Sequence, residues 1–267
     1  MKQIYLIPEY GNMERSLELA AEYGCAFEYN DFFLPGILDA PKEQEKIIQY
    51  YAKYRTDFSE DTLHGAFLDV TVHSSDPLIR QVSELRVHQT MEIAKRMGVR
   101  GVIFHTGRLA GFRVAHYLKQ WLEMNLAFFA KLAEEYPGQQ IFMENMFDEA
   151  PDVLAELAQQ MAERTAGFGI CLDYAHAALT GCAQEEWIRA LAPWTRHMHI
   201  NDNDLENDLH RPVGTGRIDW RHYQELMDAY DITATVLVEV SGYEAQKKSL
   251  EFMRRNGIYP LCGKEHE

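Results

Sequence analysis

The residues of this chain able to do chemistry collect in a few short motifs. The densest is Cys171-Leu172-Asp173-Tyr174-Ala175-His176, where a carboxylate and an imidazole stand three residues apart at the end of an apolar run. Arg196-His197-Met198-His199-Ile200-Asn201-Asp202 is nearly as dense. In an extended strand, alternation sends His197 and His199 to one face and Met198 to the other. His199, nearer the end of the run, is the candidate ligand, and His197 the supporting or packing residue. Two further carboxylates interrupt apolar runs: Glu144 in Ile141-Phe142-Met143-Glu144-Asn145-Met146, and Glu239 in Val236-Leu237-Val238-Glu239-Val240-Ser241-Gly242. Burying an unpaired carboxylate is costly or forces protonation. No Lys or Arg stands near either one in sequence. A bound cation is the simplest partner, with an Arg brought from elsewhere in the fold as the alternative.

His64 and His105 close two other apolar runs. A histidine at a strand end is by itself ordinarily a hydrogen-bonded core or rim residue, so these two gain meaning only from their company. His73, His88, His116, His222 and His266 fall in loops or on helical faces and are assigned no role. Residues 201–220, NDNDLENDLHRPVGTGRIDW, form an acidic stretch unusually long for a connection between a strand and a helix, and carry Asp208-x-His210. Gly214 and Gly216 would let the backbone of this stretch approach a ligand closely.

What must position these groups is read from periodicity. Strand candidates are 3–8, 26–31, 62–67, 99–106, 139–146, 167–176, 195–202 and 233–240. Helical patterns lie between them at 12–23, 41–54, 76–97, 116–136, 150–164, 183–192, 219–230 and 243–256. Pro41 suits a first helical position, Pro137-Gly138 and Gly257 are stop signals, and Ile79, Val82, Leu85 and Met91 recur at near-helical spacing. Eight strand-then-helix units with near-continuous apolar strands call for a parallel sheet buried on both faces. A doubly wound open sheet would place a Gly-rich turn after the first strand, but Pro8-Glu9-Tyr10-Gly11-Asn12 has one glycine. The reading is therefore an α/β chain forming a single (β/α)8 TIM barrel over 1–267. Its chemistry belongs at the C-terminal ends of the strands. There the candidate ends carry His64, His105, Glu144, Asp173, His199 and Glu239, an arrangement hard to explain by packing.

Composition narrows the class. Across 267 residues, 26 Lys+Arg against 41 Asp+Glu give a formal charge of −15, with 46% hydrophobic and 25% charged residues. That is globular composition. The charge argues against bulk-charge attraction to nucleic acid, though a local basic groove would survive the argument. The four cysteines are scattered without a C-x-x-C pair, the N-terminus reads as neither signal peptide nor anchor, and no apolar run is long enough to span a bilayer. These features lead to the expectation of a cytoplasmic protein with reduced thiols. Trp121, Phe128 and Phe129 on one long helix read as core before interface; a homo-oligomer stays open.

Taken together, Phe104-His105-Thr106-Gly107, Met143-Glu144-Asn145, residues 171–176, 197–204 and 208–220, and Val238–Gly242 resemble the xylose-isomerase-like TIM-barrel superfamily. It contains sugar-phosphate isomerases and epimerases as well as abasic-site nucleases of the endonuclease IV type. The resemblance implies a shared metal centre at Glu144, Asp173, His199 and Glu239. It also matches endonuclease IV ligands for two further ions, one set at His64 and His105 with Glu144, the other at His176, Asp208 and His210. The implied activity is a divalent-metal-dependent isomerase or epimerase acting on a small sugar or sugar phosphate. Glu144 and Glu239 would exchange the proton, and His64, His105, His176 and Arg211 would contact substrate. Mn²⁺ or Zn²⁺ suits the mixed ligand set, with Co²⁺ as a substitute. The alternative is a zinc phosphodiesterase cutting at abasic sites. The His-Val-Ser start of those nucleases is missing here, and the early loops lack an Arg/aromatic cluster suited to opening a duplex. A non-enzymatic sugar or metal sensor is the third reading; it leaves buried carboxylates that destabilise a fold without being used.

Overall fold

The computed structural model describes residues 3–262, so His266 and both extreme termini lie outside the described residues. Eight parallel strands close into a barrel in sequence order: β1 (Ile4–Leu6), β2 (Ala26–Tyr29), β3 (Thr62–His64), β4 (Gly101–His105), β5 (Gln140–Glu144), β6 (Phe168–Asp173), β7 (Thr195–Ile200) and β8 (Thr235–Val238). Pairing of β1 with β8 completes the ring. Helices cover it: α1 (Met13–Tyr23), α2 (Pro35–Leu38), α3 (Pro41–Ala52), α4 (Pro77–Met97), α5 (Ala115–Glu135), α6 (Asp152–Ala162), α7 (Tyr174–Ala178), α8 (Gln184–Leu191), α9 (Trp220–Ala229) and α10 (Tyr243–Asn256). No helix among the described residues is long and apolar enough to cross a membrane.

Strand alternation divides the molecule in two. Leu6, Phe27, Leu63, Val102, Phe104, Ile141, Met143, Leu172, Met198, Val236 and Val238 face the helices and join one large apolar core. Their neighbours face the lumen, where Tyr5, Ala26 and Leu237 form one small apolar group and Ile103, Phe142 and Cys171 another. The polar lumen positions follow the same alternation. In register, His105 pairs with Glu144, Glu144 with Cys171, Cys171 with His197, and Asp173 with His199. Neighbouring strands thus deliver their chemistry-bearing residues side by side.

Two helices were not legible in the sequence. A single turn, α2, is too short to show a period and contains Gly36. The other, α7, occupies the end of the expected strand 167–176, because the Asp173 Oδ1 accepts from the His176 amide at 2.7 Å and caps a helix there. The helix expected over 76–97 is present as α4, and its recurring apolar residues divide between two faces. Met91 is fully buried, but Ile79, Val82 and Leu85 are about half exposed, as is Leu78 at 70%. The inner face consists of Ser83, Val87, Thr90, Met91, Ile93, Ala94 and Met97. Asp76 caps the start of this helix and Gly98, at φ 73°, ends it. On α5, Trp121 and Phe129 are buried and Phe128 packs partly against the core.

The two faces of α4 should differ sharply in unfolding experiments. Leu85→Ala is expected to change the denaturant-derived unfolding free energy by less than about 0.5 kcal/mol. Met91→Ala should lower it by about 2–5 kcal/mol. Equal losses would contradict the assignment of faces.

Candidate functional site

Glu144 ends β5, Asp173 ends β6, His199 is the penultimate residue of β7, and Glu239 follows β8 directly. All four are buried. The His199 Nδ1 lies 3.3 Å from Glu144 Oε2 and 3.5 Å from Glu239 Oε2. One donor atom from each residue falls within 4.8 Å of the others. Glu144 Oε2, Asp173 Oδ2, His199 Nδ1 and Glu239 Oε2 are buried and have no hydrogen-bond partner. Buried polar atoms are almost always paired, so four orphans lying this close together form a group that could hold a cation. Among the described residues, every ion pair made by Glu144, Asp173 or Glu239 is to a histidine. The alternative of an arginine drawn from elsewhere is therefore set aside.

The electrostatics are those of too many acids in a dry space. Burial, then the facing Glu239 and Glu144, push the Asp173 carboxyl up to about 7 against the pull of His176. Burial also opposes charge on Glu144, but the His199 and His105 imidazoles outweigh it and hold this carboxyl well below the ordinary range. His199 is raised well above its usual value: burial disfavours its charge, while Cys171 and the surrounding carboxylates favour it.

Two accessory clusters flank the central one. His64 and His105 approach each other at 3.1 Å between Nε2 atoms and face Glu144 Oε2 at 3.8 and 3.3 Å. His176 and His210 each place Nε2 3.3 Å from Asp208 Oδ2. Three of these rings are held through Nδ1, His64 by the Gly65 carbonyl at 3.0 Å, His176 by the Asn145 carbonyl at 2.9 Å and His210 by the Glu239 carbonyl at 3.0 Å. That bond puts a proton on Nδ1 and leaves Nε2 to meet a ligand, the arrangement found around metal-binding imidazoles. His210 adopts φ 45°, a left-handed conformation uncommon for a residue with a side chain. Burial lowers the affinity of His210 for a proton, but Asp208 and Glu239 reverse this and raise it to about 10.

The long connection from β7 to α9 is organised by Asp202. Its carboxylate accepts from the amides of Gly214 (2.9 Å) and Ile218 (3.2 Å) and from Trp220 Nε1 (2.8 Å), while its backbone pairs with Arg211 in both directions at 2.8 Å. The expected use of Gly214 and Gly216 is corrected here. A Cβ on Gly216 would come within 2.2 Å of the Asn203 carbonyl, and one on Gly214 within 2.3 Å of the Phe252 ring. Gly214 lets the loop pack against Phe252 of α10, and Gly216 lets it pack on its own backbone. Arg211, expected to contact substrate, is exposed and does not line the cavity at the barrel mouth.

That cavity, ≈ 250 Å³, is lined by His64, His105, His176, Asp208, His210 and Glu239 together with Ile7, Asn30, Phe33, Phe67, Met146 and Ser241. No Lys or Arg lines it among the described residues. Three residues important to this geometry were missed in the sequence. Asn145 exchanges hydrogen bonds with the Asp173 backbone, both at 2.9 Å, and so ties the ends of β5 and β6 together. Its position beside Glu144 was the available signal. Phe67 packs against His105 at 4.6 Å and His64 at 5.2 Å between ring centroids. Glu28, on β2, is wholly buried below the mouth; its place inside the apolar start of a strand was the same signal that singled out Glu144.

A family model described as xylose isomerase-like TIM barrel matches residues 17–256. The chain belongs to this family. Among curated relatives, the uncharacterized protein MJ1311 of Methanocaldococcus jannaschii is 24% identical over 226 residues, covering 80% of this chain and 75% of its own length. Among solved structures, the TTHB071 protein from Thermus thermophilus, soaked with ZnCl₂, superposes with a TM-score of 0.75 at 20% identity, covering 95% of this chain and 97% of that one. A D-tagatose 3-epimerase-like protein gives 0.73 at 20% identity, covering 96% of each chain. At these identities the likeness to the solved structures is one of fold.

The raised Asp173 has a measurable consequence. Between its ordinary value of 3.8 and about 7, the folded chain keeps a proton that the unfolded chain has released. Its contribution to stability therefore falls as pH rises through that window. With chelator present, denaturant unfolding from pH 4 to 7 should show this downward component, and Asp173→Asn should remove it. An unchanged slope in Asp173→Asn would contradict the assignment.

Proposed function

We propose that this family member is a divalent-metal-dependent isomerase or epimerase of a small sugar, with Glu144, Asp173, His199 and Glu239 holding the ion. The observation that carries the reading is the convergence of four buried, unpartnered donor atoms on one point at the mouth. Three carboxylates and one imidazole suit Mn²⁺ or Zn²⁺, with Co²⁺ as a substitute. When bound, such an ion supplies Lewis-acid stabilisation of the negative charge that develops on a substrate's carbonyl and hydroxyl oxygens. The protein's own groups do the remaining work. Glu144 and Glu239, on non-neighbouring strands, approach the reacting carbon from different sides; one removes its proton and the other returns one. His64, His105 and His176 line the space for the substrate's hydroxyls, and the Phe33 and Phe67 rings exclude water beside them. The lack of a Lys or Arg in the lining favours an unphosphorylated sugar over a sugar phosphate, and the likeness to an epimerase-like protein supports the same reaction class.

A second reading, a zinc phosphodiesterase acting at abasic sites, is favoured by one observation. All nine donors of a three-ion site are present, and they form the central cluster and both accessory ones. The size of the cavity speaks for the small substrate.

Ketopentoses and ketohexoses incubated with Mn²⁺-loaded protein in D₂O should exchange a carbon-bound proton and epimerise, as followed by NMR. Glu239→Gln should slow turnover by about 10²–10⁴-fold. Full turnover by Glu239→Gln, or no bound divalent ion in purified protein, would overturn the reading. Three zinc ions per chain with chelator-sensitive nicking of an abasic duplex would put the phosphodiesterase in its place.

A further inference from the structure

One carboxylate in the lumen lies outside the central group and outside both accessory clusters. Glu28 projects from β2 across the barrel toward β7 and is fully buried. Its Oε2 accepts from Thr62 Oγ1 at 2.8 Å and stands 3.2 Å from His197 Nε2, while its Oε1 stands 3.2 Å from His199 Nε2. Glu28 Oε1 and His199 Nε2 are both buried without a hydrogen-bond partner, and they face each other at 3.2 Å.

The proton positions follow from the neighbours. His197 Nδ1 lies 2.6 Å from the Thr235 hydroxyl. The Thr235 hydroxyl donates to the Arg196 carbonyl at 3.2 Å, and His197 presents Nε2 to Glu28. His199 faces the same carboxylate with its own Nε2, and its Nδ1 faces Glu144 and Glu239. With an ion neutralising Glu144 and Glu239, the carboxylate behind Nε2 keeps the ring proton on that nitrogen and leaves the Nδ1 lone pair for the central cradle. This is the reverse of His64, His176 and His210, where backbone carbonyls hold Nδ1 and Nε2 faces inward.

We propose that Glu28 is a positioning residue for the central metal centre: it fixes the Nε2–H tautomer and the orientation of His199, making Nδ1 the atom that binds the ion. The inference rests on the metal reading above and adds a role for a residue that never touches the ion or the substrate. His197 and Thr62 hold Glu28 in turn, so the support reaches from β2 through β3 to β7.

The test uses the full chain stripped with chelator and zinc alone as the probe. In competition with a chromophoric chelator, Glu28→Gln, which keeps shape and loses charge, should bind zinc about 10–100-fold more weakly than wild type. In ¹⁵N-edited NMR of zinc-loaded wild type, with the His199 signals assigned by their loss in His199→Gln, His199 should appear as the Nε2–H tautomer. His64, His176 and His210 should not share it. A merely structural Glu28 would leave the zinc affinity of folded Glu28→Gln unchanged. Unchanged affinity, or His199 carrying its proton on Nδ1, overturns the inference while leaving the metal reading standing. A wild-type chain that binds no zinc overturns both. Should Glu28→Gln fail to fold, the tautomer in wild type decides alone.

Discussion

The organising constraint of this protein is charge neutralisation in a dry place. Three carboxylates and an imidazole from four strands meet at the barrel mouth with their inward atoms unpaired. Without a cation the cradle is a set of compromises. Asp173 holds its proton toward neutrality, His199 takes up charge, and Glu144 leans on two imidazoles. Each compromise stabilises less than a doubly charged ion would, because the carboxylates repel one another at short range in low dielectric. The surrounding structure supports that point: Asn145 locks β5 to β6, Asp202 folds the β7–α9 connection, and Glu28 stands behind His199.

Much of this was legible in the sequence because a barrel turns linear patterns into positions. Eight apolar runs separated by helical periods define the ring, and strand-end residues define its mouth. Glu144 and Glu239 stood out because a carboxylate inside an apolar strand is costly to bury unless something neutralises it, and Asp173 through the imidazole three residues on. The accessory residues His64, His105, His176, Asp208 and His210 were singled out by strand ends and motifs and grouped into sets by the resemblance, and the structure draws them into two clusters beside the central one.

What escaped the sequence has physical causes. The buried face of α4 was not legible because Ile79, Val82 and Leu85 repeat at a helical spacing that periodicity cannot assign to core or solvent. The extent of β6 was overestimated because Tyr174, Ala175 and His176 suit a strand, whereas capping by Asp173 depends on a side-chain hydrogen bond. Gly214 and Gly216 suggested a ligand, yet the close approach they permit is to Phe252 and to the backbone of the same loop. Arg211 was expected to contact substrate from the resemblance, but the turn of the loop leaves it exposed. Glu28 was overlooked since its partners, His197 and His199, lie far along the chain and meet it only across the closed lumen.

The most direct test of the central claim is anomalous diffraction at the zinc and manganese edges from crystals grown with either ion. The account predicts a peak bonded to Glu144, Asp173, His199 and Glu239, with ligand distances of about 2.0–2.2 Å for zinc. Metal-replete crystals in which these four side chains surround only water, with no anomalous signal between them, would contradict it.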